Sequence, residues 1–503
     1  MEDSLKKRYT IKLVASIISG IIGIILTAII PKALGPIAYG QFVYLQDFFM
    51  KIIGFLDMGS SIAFFTKLSA DNKRKELILF YFIYSFVVLS LIIFFVYMVN
   101  LLGVSSFLLP KIPNEYIYFG LFFGFLTWIT QIFIKISDAY ALTVSVELIK
   151  IGHKILSLFI LFYLIYQTKF DLKSYFYFHY LLSSVFLVIL TWLFIKKDIF
   201  KDISFAIKYS KFKIIVKEFV DYCHPLLVYS LLGMIVGLFD IWLLQKVAGS
   251  EQTAFYGLAY SLAAMCFVFT GAMTPIITRE FSKSYAQEDL EKMKKLFYRF
   301  VPMLYSLAGF FTIFMAFQTE TIVAIFTDKR FDEASFVLMV IIFYPIHQTY
   351  GQLSGSIFYA TGKTKLLRNI SFVTQPIGII FSFLFIYILE LEAVGLALKM
   401  ILGQIIATNI QLYFNAKFLN LNIKSLVLHQ IYSVIFFTVL AFISTSIIFT
   451  DSLLFSFLLS GILYTFFVIL ATYMFPQIFA LKRDEIDELL TRLKNVIKRK
   501  IKK

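Results

Sequence analysis

The stretch VSVELIKIGHKILSLF, residues 144–159, places Glu147, Lys150, His153 and Lys154 inside an apolar run that continues as ILFYLIY. At 100° per residue these four fall within an arc of about 120° on one helix face. The chemistry open to such a face is electrostatic, because a lysine ammonium is a mobile point charge suited to anionic groups, phosphate included. A closed pair is also open to it: Lys150 lies at i,i+3 from Glu147 and can simply be neutralised by it. The same ambiguity recurs at Asp47 and Lys51, spaced i,i+4. Trp128, Gln131, Lys135 and Asp138 share an arc of about 80°. Lys399, Asp57 and Asp240 are charges set in apolar sequence. His347, in YPIHQTYGQ, and His224, in CHPLL, each sit beside a proline that can break a helix.

These residues need elements to hold them, and the elements are membrane-spanning helices. Hydrophobic residues make up 60% of the 503 and charged residues 16%, where a soluble domain carries about a quarter. Mean hydropathy is +0.83. Apolar runs of about twenty residues predict fourteen helices, centred on 12–31, 40–65, 77–99, 116–138, 143–167, 174–195, 220–245, 253–278, 299–320, 333–358, 367–389, 393–416, 428–450 and 453–478. The N-terminal run lengthens past a signal peptide's apolar region without an A-x-A site, so it reads as the first of them. Cys223 and Cys266 both fall in apolar segments and indicate no disulfide framework.

Charge gives the expected orientation. With the N-terminus inside, 35 of the 47 Lys and Arg lie in inner segments and seven in outer loops. The other five, Lys51, Lys135, Lys150, Lys154 and Lys399, lie within helices. The net charge of +16 is therefore a topology signal and not a nucleic-acid footprint. Both termini are expected on the cytoplasmic side. The tail after residue 480 places Ile486, Leu489, Leu490, Leu493, Ile497 and Ile501 at helical spacing against basic residues, which reads as an amphipathic helix on the membrane surface. A charged side chain at a helix centre costs about 2.5–3.5 kcal/mol. Five lysines facing lipid would cost on the order of 12–17 kcal/mol, so they are expected to face protein, water or a ligand.

An internal repeat is visible. LGPIAYGQF (34–42) follows the first helix and AGSEQTAFYGLAY (248–260) the seventh, with Tyr39-Gly40 and Tyr256-Gly257 217 residues apart. TKLSADNKRKEL similarly matches REFSKSYAQEDLEKMKKL, and the Tyr-Ala pairs of SDAYALT and SIFYATGKT are 219 apart. The fold class expected is an all-α polytopic membrane protein with two pseudo-symmetric six-helix lobes and two extra helices. Its parts are a first lobe over 1–197, a basic linker over 198–218, a second lobe over 219–418, the two extra helices over 419–480 and the tail over 481–503. Transporters built from such parallel repeats bind substrate between the halves.

A first helix followed by LGPIAYGQF, then FLDMGSSIAFFTKLS before a basic loop, resembles the Wzx-type polysaccharide flippases. Their superfamily includes the lipid II flippases and the MATE antiporters. The resemblance covers nearly the whole chain and implies a flippase of the bacterial inner membrane. Its cargo would be an undecaprenyl-diphosphate-linked oligosaccharide, moved outward for surface glycan assembly by alternating access. Asp57 matches the acidic residue this family often carries before the Gly of its second-helix motif. On this reading Lys51, Lys150, Lys154, Lys135 and Lys399 line a cationic cavity for the diphosphate. Asp47, Asp57, Asp138, Glu147, Asp240 and His347 supply polar lining or carry a coupling H+ or Na+. Polysaccharide polymerase machinery is a further expected partner.

Two other readings compete. A MATE-like drug or cation antiporter favours an acid in the first helix, and VASIISGIIGIILTAII has none. An integral-membrane glycosyltransferase or polymerase needs a sizeable extramembrane loop with paired carboxylates or arginines, and the longest inner loop is short and basic. No G-x-x-x-x-G-K-[ST] loop and no Cys/His zinc spacing occur. The chain is expected to be a carrier with no catalytic residue, cofactor or metal.

Overall fold

In the computed structural model, residues 5–167, 170–201, 209–448, 450–488 and 491 are described. Among them the regular elements are helices and no strand occurs. In a bilayer that is the economical solution, because a helix satisfies its own backbone groups where no water can. Most of the surface tail expected after residue 480 lies outside the described residues, as does the stretch 202–208 of the basic linker.

The chain divides into two compact units, residues 1–254 and 255–503. The first unit contains α1 (Leu5–Leu34), α2 (Pro36–Asp57), α3 (Ser60–Ala70), α4 (Glu76–Leu101), the short α5 (Ser105–Leu108), α6 (Asn114–Ala139), α7 (Thr143–Gln167), α8 (Leu172–Lys196) and α9 (Tyr209–Val247). Within it α2 packs on both α6 and α9, α1 packs on α7, and α6 packs on α8. α10 (Ser250–Ala264) starts at the boundary. The second unit continues with α11 (Val268–Ala286), α12 (Leu290–Ala316), α13 (Thr319–Phe326), α14 (Ala334–Ile341), α15 (Tyr344–Ala360), α16 (Thr364–Ser382), α17 (Glu392–Leu419), α18 (Ile423–Ile447) and α19 (Leu453–Met474). Here α15 packs on α11, α12 and α17, and α18 packs on α12 and α19. Leu353, Ile357, Phe297, Tyr305 and Phe437 are at the centre of that unit's core.

Eleven helices among the described residues are long and apolar enough to cross a membrane, twelve if α2 and α3 count as one span. That count does not confirm the expected fourteen. The first expected span lies in α1, whose apolar part is the short Ile18–Leu34. The eighth, 253–278, is divided between α10 and α11 by a 3₁₀ turn at Met265–Phe267. Two further expectations change at joints. The second helix is bent by 54° where α2 gives way to α3. Met58 (φ 46°) and Gly59 (φ 78°) are both left-handed there, a conformation that ends a helix. The proline beside His347 does mark a joint, since Pro345 sits in the first turn of α15. The proline beside His224 does not, because α9 runs unbroken from Tyr209 to Val247.

One contact fixes the start of α2. A Cβ at Gly40 would lie 1.7 Å from the carbonyl oxygen of Ser250 and 2.6 Å from its carbon. The backbones meet there with no room for a side chain.

The other end of α9 is held by charge. Glu218 accepts from Lys67 Nζ at 3.1 Å and from Arg74 Nη1 at 3.2 Å, joining α9 to the end of α3 and the turn that follows it. Burial pushes the Glu218 carboxyl up, but the bonds from Lys67 and Arg74 outweigh it and hold the group below the usual carboxylate range. A carboxyl lowered by folding adds stability above its unfolded pKa of about 4.3 and loses it as pH falls through the folded value. Pairs this exposed contribute about 0.2–1 kcal/mol each. Glu218→Gln should therefore leave the melting temperature almost unchanged while speeding hydrogen exchange over residues 209–224. The difference between the two proteins should shrink as pH falls below the unfolded value and vanish once it passes the lowered folded one.

Candidate functional site

The charged residues singled out in the sequence form three clusters in the first unit. The most connected surrounds Asp57, the last residue of α2. Because the chain kinks at the next two residues, the Asp57 carboxylate faces the opening turn of α3. It accepts from the Ser61 backbone N–H at 3.2 Å, the Ser61 hydroxyl at 2.9 Å and the Ser60 hydroxyl at 3.2 Å. A carboxylate at a helix start also meets the positive end of the helix dipole. Two donors arrive from other helices: the Tyr81 hydroxyl of α4 at 3.0 Å and the Trp128 indole N–H of α6 at 3.2 Å. Lys135, two turns further along α6, donates to the Ser61 hydroxyl. The arc of α6 read from the sequence thus supplies Trp128 and Lys135 to one cluster. Asp138 does not join it; its carboxylate accepts from the Thr143 hydroxyl at 3.2 Å, across the turn into α7.

In the second cluster Lys51 pairs with Asp47 along α2 and donates to the Gly237 carbonyl of α9 at 2.8 Å. Gly237 admits the lysine, since a Cβ there would lie 2.7 Å from Lys51 Cε. Both partners remain partly accessible, with side-chain exposures of 29% and 37%.

The third cluster is the face of α7. Lys150 pairs with Glu147 at 2.9 Å. Lys154 donates to the Ser19 carbonyl of α1 at 3.2 Å, and its described bond is therefore to a neutral acceptor. His153 reaches the Leu182 carbonyl of α8 at 2.9 Å. Both lysines are half-buried, while Leu148, Ile155, Leu156, Phe159 and Phe162 are among the exposed residues of α7. The helix turns its charges away from lipid, as their insertion cost requires. Lys51 and the α7 lysines belong to separate clusters.

Of the remaining candidates two are buried and His347 is partly so. Asp240 lies on α9 and Lys399 on α17, at 7% and 8% exposure. His347 packs edge-on against Tyr305 at 6.1 Å, and its carbonyl accepts from the Thr408 hydroxyl at 3.3 Å. Around it the second unit buries uncharged polar groups. Asn415 of α17 donates to both the carbonyl and the hydroxyl of Ser354 on α15 at 2.9 and 2.7 Å. The Thr270 and Thr349 hydroxyls meet at 2.8 Å. These went unread in the sequence because amides and hydroxyls scatter through apolar helices at little cost.

One family model, MatE, matches residues 225–384, less than half of the chain. Among curated proteins none matches. Solved structures do. A multidrug resistance MATE family transporter of the MOP superfamily matches in its inward-facing conformation with TM-score 0.58 and 15% identity, over 84% of this chain and 96% of that one. In its outward-facing conformation the values are 0.54, 17%, 82% and 96%. A MOP superfamily transporter from Pyrococcus furiosus, described as having a binding pocket of reverse polarity suggesting a different function, matches with TM-score 0.55 and 16% identity, over 83% and 97%. The likeness is one of fold: this chain has the fold of the MATE transporters.

Proposed function

We propose that the protein is a membrane transporter that carries an anionic, lipid-linked cargo, an undecaprenyl-diphosphate-linked oligosaccharide, from the cytoplasmic to the outer leaflet. The observation that carries this reading is Lys154. It is a half-buried ammonium in the middle of an apolar helix, its described bond goes to a carbonyl, and a second lysine stands one turn away. Such a charge is an anion site in a low-dielectric setting. Lys51 and Lys150 carry carboxylate partners, which a diphosphate can displace while the ammonium is retained. An outward-moving negative charge gains about 2.3 kcal/mol per 100 mV from an inside-negative potential. Asp57, within reach of Lys135 through one hydroxyl, is the acid we assign to exchange of H+ or Na+.

A drug or cation antiporter is the second reading. It is favoured by the neutralising pairs Asp47–Lys51 and Glu147–Lys150. Lys154 separates the two. Lys154→Gln should leave expression intact and cut flipping of the lipid-linked oligosaccharide about ten- to a hundredfold, the loss of about 1.5–3 kcal/mol for one charged contact. Lys154→Arg should keep part of the activity. Flipping unchanged in Lys154→Gln would remove the reading's support.

A further inference from the structure

Between α2, α4 and α9 the first unit holds a groove of about 600 Å³. Its walls are hydrocarbon throughout, with Phe48, Phe55, Phe95 and Leu238 along its length. One end is built differently. The short α5 closes it with Phe107, whose carbonyl accepts the Trp242 indole N–H at 2.6 Å. Over these two rings stands the exposed ammonium of Lys246, 4.7 Å from each centroid. An aromatic pair capped by a cation, at the end of an otherwise apolar channel, is complementary to an amphiphile with one anionic end.

We infer that this groove binds the isoprenoid chain of a polyprenyl phosphate, with the phosphate at Lys246; the inference rests on the transport reading above. Six of the thirteen lining side chains are aromatic. Their faces receive the methyl branches and alkene C–H bonds that recur every few atoms along an isoprenoid, and a straight saturated chain offers fewer such contacts. The groove also runs beside the point where Lys51 crosses to α9. Leu238 follows Gly237, whose carbonyl takes the Lys51 ammonium. Lys246 lies nine residues further along α9, about 13 Å away, so the phosphate meets Lys246 alone while the chain runs back past Leu238 among apolar side chains.

Photocrosslinking of the full-length protein tests this. A polyprenyl phosphate carrying a diazirine on its chain is irradiated with the protein in mixed micelles, and the adducts are mapped by mass spectrometry. Adducts are expected on α5, on α9 near Leu238 and Trp242, and on α2 near Phe55. Unlabelled undecaprenyl phosphate should compete, and excess phosphatidylglycerol should not. Lys246→Gln, at an exposed position, should lower labelling about tenfold, and Leu238→Trp should abolish it by filling the groove. Equal competition by phosphatidylglycerol would overturn the proposal in favour of an ordinary phospholipid site, and adducts spread over all lipid-facing helices would overturn it outright. The two readings fail separately. Flipping with an unlabelled groove removes the groove alone, and a saturable, competed groove without flipping removes the transport reading.

Discussion

Gly40→Ala is expected to abolish recovery of folded protein from the membrane, while Gly54→Ala on the same helix leaves it unchanged or improved. The difference is geometric. At Gly54 an added Cβ meets nothing within 4 Å, whereas at Gly40 it falls 1.7 Å from the Ser250 carbonyl oxygen. The obstacle is backbone, so no rotamer change relieves it and the two segments must separate. Overpacking typically costs about 1–3 kcal/mol, and more when the surroundings cannot yield. Replacing Gly by Ala inside a helix otherwise gains about 0.5–1 kcal/mol. Thermal unfolding followed by size-exclusion chromatography in detergent reads both variants. A Gly40→Ala protein that is monodisperse and melts with the wild type would refute the close approach of α2 to the start of α10.

Asp57→Ala should have the next largest effect on stability. It removes the acceptor for the Trp128 indole and the Tyr81 hydroxyl, both belonging to buried residues. Tyr81 can fall back on Ser60, 2.8 Å away. The indole loses the acceptor described for it, and α3 loses the carboxylate at its first turn. An orphaned buried donor costs about 1–3 kcal/mol and a lost helix cap about 1 kcal/mol, so a total of about 2–4 kcal/mol is expected. Asp57→Asn keeps one acceptor oxygen and the volume, and it should retain most of the stability. If Asp57 also exchanges an ion, the Asn variant will fold and bind cargo yet lose the dependence of transport on the ion gradient. Equal transport and equal gradient dependence in Asp57→Asn would leave the residue a purely structural role.

Much of this was legible in the sequence because charge inside apolar sequence is conspicuous. Asp57, Lys135 and Trp128 could be named from pattern alone, and the i,i+3 and i,i+4 spacings at Glu147–Lys150 and Asp47–Lys51 already held the pairs that the structure shows. The partner of Lys154 and the second partner of Lys51 could not be read, since these are backbone carbonyls, of Ser19 and Gly237, and a carbonyl has no residue type. Helix joints were legible only in part. Hydropathy runs straight across Met58–Gly59 and Met265–Phe267, so the bend and the 3₁₀ turn leave no gap in an apolar window. Pro225 illustrates the reverse error: a proline marks a possible break, yet α9 runs from Tyr209 to Val247 without one. The repeat describes which segments are alike, whereas the compact units follow contacts, and α9 packs with α2 and α3 although its sequence counterpart is the first helix.

The most direct test of the account is transport itself, measured with two cargoes in the same proteoliposomes. One is an undecaprenyl-diphosphate-linked oligosaccharide whose transfer is read by its accessibility to a glycan-modifying enzyme outside the vesicle. The other is a lipophilic drug cation followed by fluorescence. The account predicts that the oligosaccharide crosses at a rate proportional to the amount of protein. It also predicts that the rate falls when the membrane potential is collapsed, and that Lys154→Gln cuts the transfer about ten- to a hundredfold. Accumulation of the drug cation against its gradient, with no oligosaccharide transfer above protein-free vesicles, would contradict it.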